Sequence, residues 1–169
     1  MLRKRLVKAL LIPAALMVPA STAAIALTSG TADAAIYHAA DAATCTKLTG
    51  TVNIATESAT GTFSGCTSAV TGGTGKFTGS DSTSSGSVTW KNKGKTTMSF
   101  AFTLPSNSVC GSGNQEIVVT GAVKSSTGKA AKIKKGQKIS GGTAANTADF
   151  CWNETSNALT LLKGTTFKI

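Results

Sequence analysis

The chain has 169 residues, of which 41% are hydrophobic and only 14% charged, and its formal net charge is +10. That length accommodates one ordinary domain with a core of its own. A single histidine, His38, excludes a histidine cluster, and the basic balance bears on solubility and polyanion attraction, not on fold.

The chain opens Met1-Leu2-Arg3-Lys4-Arg5-Leu6-Val7-Lys8, with four positive charges and no acid. An apolar run from Ala9 to Val18 follows, broken by Pro13 and closed by Pro19, and small polar residues lead on to Ala32-Asp33-Ala34. A basic start, a short apolar centre and a small-x-small exit are the signature of a secretory signal peptide over residues 1–34. Cleavage is expected after Ala34, with Ala24-Ile25-Ala26 as the alternative site. An uncleaved anchor needs ~20 apolar residues without helix breakers, which the two prolines deny. Arg3-Lys4-Arg5 lacks an arginine pair, which favours the general export route over the twin-arginine one. What remains is 135 residues with a charge of +7, from thirteen lysines and six carboxylates. No later stretch is long enough to span a membrane, so the expected location is secreted, or loosely held at the cell surface.

Residues 35–44, Ala-rich and holding His38, read as a flexible lead-in. The remainder, 45–169, reads as a single domain built from strands. Cys45–Ile54 and Thr60–Cys66 form a first hairpin centred near Ala55-Thr56. A symmetric register about that centre sets Cys45 opposite Cys66 and Leu48 opposite Phe63. Gly75–Gly79 is a short strand around Phe77. Gly86–Lys91 pairs with Thr96–Leu104 through Asn92-Lys93-Gly94, a connection fitting a type I turn plus a glycine bulge. In Thr96–Leu104 the residues Met98, Phe100, Phe102 and Leu104 share one face, a half-buried strand of period two. Glu116–Lys124, Ile133–Ile139, Asn146–Trp152 and Ala158–Ile169 complete the set. No 12-residue window carries a capped helical period. Eight or nine short strands separated by Gly-rich turns predict an all-β antiparallel barrel, with a β-sandwich as the alternative.

Cys45, Cys66, Cys110 and Cys151 all lie beyond the leader, and four cysteines in an exported chain read as two disulfides. The hairpin register favours Cys45–Cys66, which leaves Cys110–Cys151. Their spacing and the missing histidine partners argue against zinc.

Several of these segments carry a resemblance. Thr44-Cys45, Gly61-Thr62-Phe63-Ser64-Gly65-Cys66, Gly86-Ser87-Val88-Thr89-Trp90 and Thr96-Thr97-Met98-Ser99-Phe100 resemble a group of small secreted actinobacterial β-proteins. So do Val118-Val119-Thr120-Gly121-Ala122-Val123, the late Cys151, and the closing Gly164-Thr165-Thr166-Phe167-Lys168-Ile169. The resemblance implies export and a β fold and assigns no activity. The lysine-rich stretch from Lys129 to Lys138 stands apart from it.

Candidate chemistry is sparse. No catalytic residue, cofactor or metal site is expected. Most of the carboxylates Asp41, Glu57, Asp81, Glu116, Asp149 and Glu154 fall at turns or strand ends, where a solvated charge is the default. Gly75-Lys76, Gly94-Lys95 and Gly128-Lys129 lack the upstream glycine and the strand-to-helix context of a phosphate loop, which excludes a nucleotide. Lys124, Lys129, Lys132, Lys134, Lys135 and Lys138 set six charges within fifteen residues without an acid. Such a run either keeps an edge soluble or holds an anionic envelope polymer. Arginines and aromatics, which nucleic-acid readers interleave, are missing from it. Trp90, Phe100 and Phe102 are candidates for lining a barrel cavity that takes a small apolar ligand. The expected function is that of a non-enzymatic binding protein for such a small molecule or an anionic polymer. The alternative is a protein-binding module or hydrolase inhibitor using Pro105–Gln115 around Cys110.

Overall fold

A computed structural model of the chain describes residues 43–169. The expected signal peptide with its expected cleavage sites, His38, Asp41 and the expected lead-in up to residue 42 lie outside the described residues. Nine strands follow in order: β1 (Thr44–Asn53), β2 (Ser58–Thr67), β3 (Thr74–Ser80), β4 (Ser85–Trp90), β5 (Lys95–Thr103), β6 (Asn114–Thr127), β7 (Thr147–Asn153), β8 (Ala158–Leu161) and β9 (Phe167–Lys168). Each of the first eight pairs antiparallel with its sequence neighbour, and β8 pairs back onto β1. The sheet is therefore a closed eight-stranded up-and-down barrel, with β9 added beside the start of β1. Closure leaves no long unpaired edge, which settles barrel over sandwich.

The first hairpin has the expected register, Cys45 opposite Cys66 and Leu48 opposite Phe63. Both expected disulfides, Cys45–Cys66 and Cys110–Cys151, are formed. Cys45 and Leu48 are three residues apart, as are Phe63 and Cys66, yet all four are buried. Strict alternation would put one pair outside. The break falls at Gly65, whose φ of 61° re-aims the strand and whose missing Cβ leaves room for the Thr46 hydroxyl.

The barrel interior follows from register. Leu48, Phe63, Val88, Trp90, Met98, Val123, Ala148, Phe150 and Leu159 are buried within it, and Phe167 stacks on Phe63 at 4.3 Å between ring centres. Trp90 spreads over Gly75, where a Cβ would fall 2.5 Å from the indole. Its N–H donates to Thr96 Oγ1 at 3.0 Å, the partner a buried indole requires.

The two ends of the barrel differ. At one end the connection 128–146 folds underneath as a plug. A 3-10 helix, Gly128–Lys132, and the turns after it bury Ala130, Ile133 and Ile139. Ala43 and Ile169 exchange backbone hydrogen bonds at this covered end. Towards the opposite rim the inward-facing Val52, Ala59, Phe77, Phe100, Ile117, Val119 and Trp152 are only partly buried.

Three expected elements are corrected. Ile133–Ile139 is not a strand: it is a run of turns that joins β6 by the Ala122–Lys138 bridge and by three backbone bonds, Val123 N–H to the Gln137 carbonyl, Gly136 N–H to the Val123 carbonyl and Ile139 N–H to the Gly121 carbonyl. The charge density and Gly136 there favour a looping connector over a regular ladder. Ala158–Ile169 is two strands, because 162–166 turns to carry the chain from β8 to the covered end, where β9 pairs with β1. In the turn after Trp90 the left-handed residue is Lys93, at φ 61°, and not the glycine. Gly94 is needed for approach: a Cβ there would meet the Ala130 amide nitrogen at 2.5 Å, so the plug rests on this turn.

Candidate functional site

Chain direction fixes which connections share an end. Connections 54–57, 81–84, 104–113 and 154–157 lie at the rim, and 68–73, 91–94, 128–146 and 162–166 at the covered end. The rim connections hold Glu57, Asp81 and Glu154 and not one lysine. The covered-end connections hold Lys91, Lys93, Lys129, Lys132, Lys134, Lys135, Lys138 and Lys163 and not one carboxylate. All of these charged residues are exposed. The molecule is electrically polar along the barrel axis.

The six lysines expected as an anion-binding patch divide in two. Lys129, Lys132, Lys134 and Lys135 are exposed on the plug. Lys124 and Lys138 reach the outer barrel wall, because Lys138 sits at the bridge to Ala122 and Lys124 follows two residues later, where the register between β5 and β6 shifts. There they line a groove of about 570 Å³. Its floor is the outward face of β5 and β6, where Ser99, Ala101, Thr120 and Ala122 offer nothing larger than a threonine. One wall is the turn bearing Thr83 and Ser84, the other the loop bearing Ala145 and Asn146. No carboxylate lines it.

The three aromatics expected to line a cavity do not meet. Trp90 is fully enclosed at the covered end. Phe100 hydrogen-bonds through its N–H to Ser84 at the rim, six residues of β4 from Trp90, or about 20 Å at strand rise. Its ring lies over Gly86 and Gly79, while Phe102 is 37% exposed at the end of β5. Two buried polar atoms near the rim, Trp152 Nε1 and Asn157 Oδ1, have no hydrogen-bond partner.

The loop around Cys110 is braced from several sides. Val109 N–H donates to Glu116, Cys110 N–H to Ser108 Oγ, Ser108 Oγ–H to the Asn114 carbonyl and Gln115 Nε2–H to the Pro105 carbonyl. Glu116 is thereby a buried acceptor in β6, held under its own loop. Asp149, fully buried in β7, accepts from both the N–H and the hydroxyl of Thr143 at 2.6 Å and pins the loop 141–146. Each carboxylate serves a different loop. Among the described residues no group of three histidine, cysteine or acidic side chains is placed to hold a metal. No described helix is long and apolar enough to cross a membrane.

Comparison with known proteins gives no match to a family model, to a curated protein sequence or to a solved structure. The site is therefore read from its own geometry. Sequence reasoning found the lysines but missed both the groove and the charge polarity. The polarity was present as a signal in the acids and lysines that alternate between successive connections.

Proposed function

We propose that the protein is an exported, non-enzymatic binding protein for an anionic polymer of the cell surface or the surrounding medium. The observation that carries this reading is the separation of charge: eight lysines in the connections at the covered end, with the exposed rim carboxylates at the other. Lysines that only kept the surface soluble would be interspersed with acids over the whole barrel. Grouped at one end, they raise the local concentration of polyanions and orient the approach. Two disulfides in a chain of this size suit an oxidising compartment, which agrees with the leader signature and with the resemblance to small secreted β-proteins.

Binding of this kind depends on ionic strength. Affinity of the processed protein for a soluble polyanion such as dextran sulfate falls at least tenfold between about 50 and 200 mM salt, as counterion release requires. Salt-independent binding, or none at low salt, contradicts the proposal. A second reading, a small apolar ligand at the rim, is favoured by the partly exposed interior and by the partnerless Trp152 indole N–H. It predicts a heat-capacity change on ligand addition that salt does not alter.

A further inference from the structure

We infer that the groove on the β5–β6 wall is a subsite for an acidic sugar unit, so that the polymer recognised is a charged polysaccharide. This rests on the polyanion reading above and narrows it to one ligand class. The groove joins two features. Its floor, at Ser99 and Thr120, is shallow and set with hydroxyls, and Asn146 adds an amide from the overhanging loop. Lys124 and Lys138 supply positive charge with no carboxylate to offset it. Hydroxyl and amide groups that both donate and accept match the ring hydroxyls of a sugar. Two ammonium groups match a carboxylate, sulfate or phosphate substituent.

Other anionic ligands fit less well. A single-stranded nucleic acid calls for a flat aromatic or guanidinium face on which its bases stack. The described residues contain no arginine, and the one aromatic at the groove, Phe100, turns its ring over the interior-facing Gly86 and Gly79. A free phosphate ion would leave most of about 570 Å³ filled with water, whereas that volume lies in the range of organic ligand sites. A lipid tail would find no apolar slot on a floor of serine, threonine and alanine. The floor stands on β5 and β6, joined by a nine-pair ladder, so the backbone that bears Ser99 and Thr120 is held in place before the ligand arrives.

The test is calorimetric titration of the processed protein with three probes: oligogalacturonate, neutral dextran oligomer and polyphosphate. Oligogalacturonate is expected to bind at least tenfold more tightly than dextran. The double variant Lys124→Gln/Lys138→Gln loses at least tenfold of that affinity, and the covered-end control Lys91→Gln/Lys93→Gln loses less. Ser99→Val/Thr120→Val, at one half-buried and one exposed position of the outer wall, keeps the thermal melt and weakens oligogalacturonate but not polyphosphate. Equal loss in the groove and control variants, or no effect of Ser99→Val/Thr120→Val, overturns the subsite while the polyanion reading stands. Failure of both oligogalacturonate and polyphosphate to bind overturns the two together.

Discussion

At the scale of residues, two buried polar side chains, Thr96 and Asp149, each hold a particular piece of the barrel. Thr96 Oγ1 receives the Trp90 indole N–H and lies 3.4 Å from Ser126 Oγ, whose hydroxyl donates to it. Thr96→Val keeps the shape and strands the indole donor, so it should destabilise the fold by about 1–3 kcal/mol in urea unfolding. An unchanged midpoint would mean that water satisfies the indole. Asp149 is a different case, because both its bonds go to one residue, Thr143, in a loop. Asp149→Ala should free the 141–146 loop, seen as faster amide exchange at Thr143, while the protection of β6 is kept. Loss of protection across the whole sheet would place Asp149 among the residues that hold the barrel itself. Neither role was legible in the sequence, where Asp149 is one acid in an alternating strand. What makes it structural is a loop that folds over the outer face of β7.

The elements were legible wherever local pattern and long-range pairing agreed. The Met98-x-Phe100 alternation, the Cys45–Cys66 symmetry and the Gly-rich turns all describe hairpins, and consecutive hairpins close a barrel with little further information. Expectation failed where the chain leaves the barrel wall. The stretch Ile133–Ile139 has apolar residues at the ends and lysines between, a pattern that suits an edge strand as well as a plug. Its geometry is decided by contacts distant in sequence: Ala130 against Gly94, and Ile139 over Gly121. Gly94→Ala should therefore lift the plug, lowering the thermal midpoint and exposing Ala130 and Ile133 to solvent without opening the β4–β5 hairpin. An unaltered melt would show that the turn and the plug are independent. The Cys110–Cys151 bridge closes a loop with a sequence separation of 41 and ties the 104–113 connection to β7. Replacing both cysteines by serine should cost about 3–4 kcal/mol in a chain-entropy picture. The cost should appear mainly as loosening around the exposed Val109, with the barrel strands intact.

For the whole molecule the governing feature is its axial charge. Strands of an up-and-down barrel alternate in direction, so every second connection emerges at the same end. A sequence that puts its acids in the odd connections and its lysines in the even ones therefore builds a dipolar particle. This was readable in principle from the strand list; reading lysines by their clustering along the chain hid it, because Lys91, Lys93 and Lys163 are far in sequence from Lys129–Lys138 but share the covered end. A polyanion taken at that end leaves the rim facing outward, with its exposed Ile54, Phe102 and Val109 presented to the medium.

The most direct test is chemical footprinting of the processed protein, free and bound to dextran sulfate at low salt, with an amine reagent and a carboxylate reagent read by peptide mass spectrometry. Binding through the covered end predicts that Lys91, Lys93, Lys129, Lys135 and Lys163 become protected while Glu57, Asp81 and Glu154 stay as reactive as in the free protein. Protection spread evenly over the lysines and the rim acids, or confined to the rim, would contradict it.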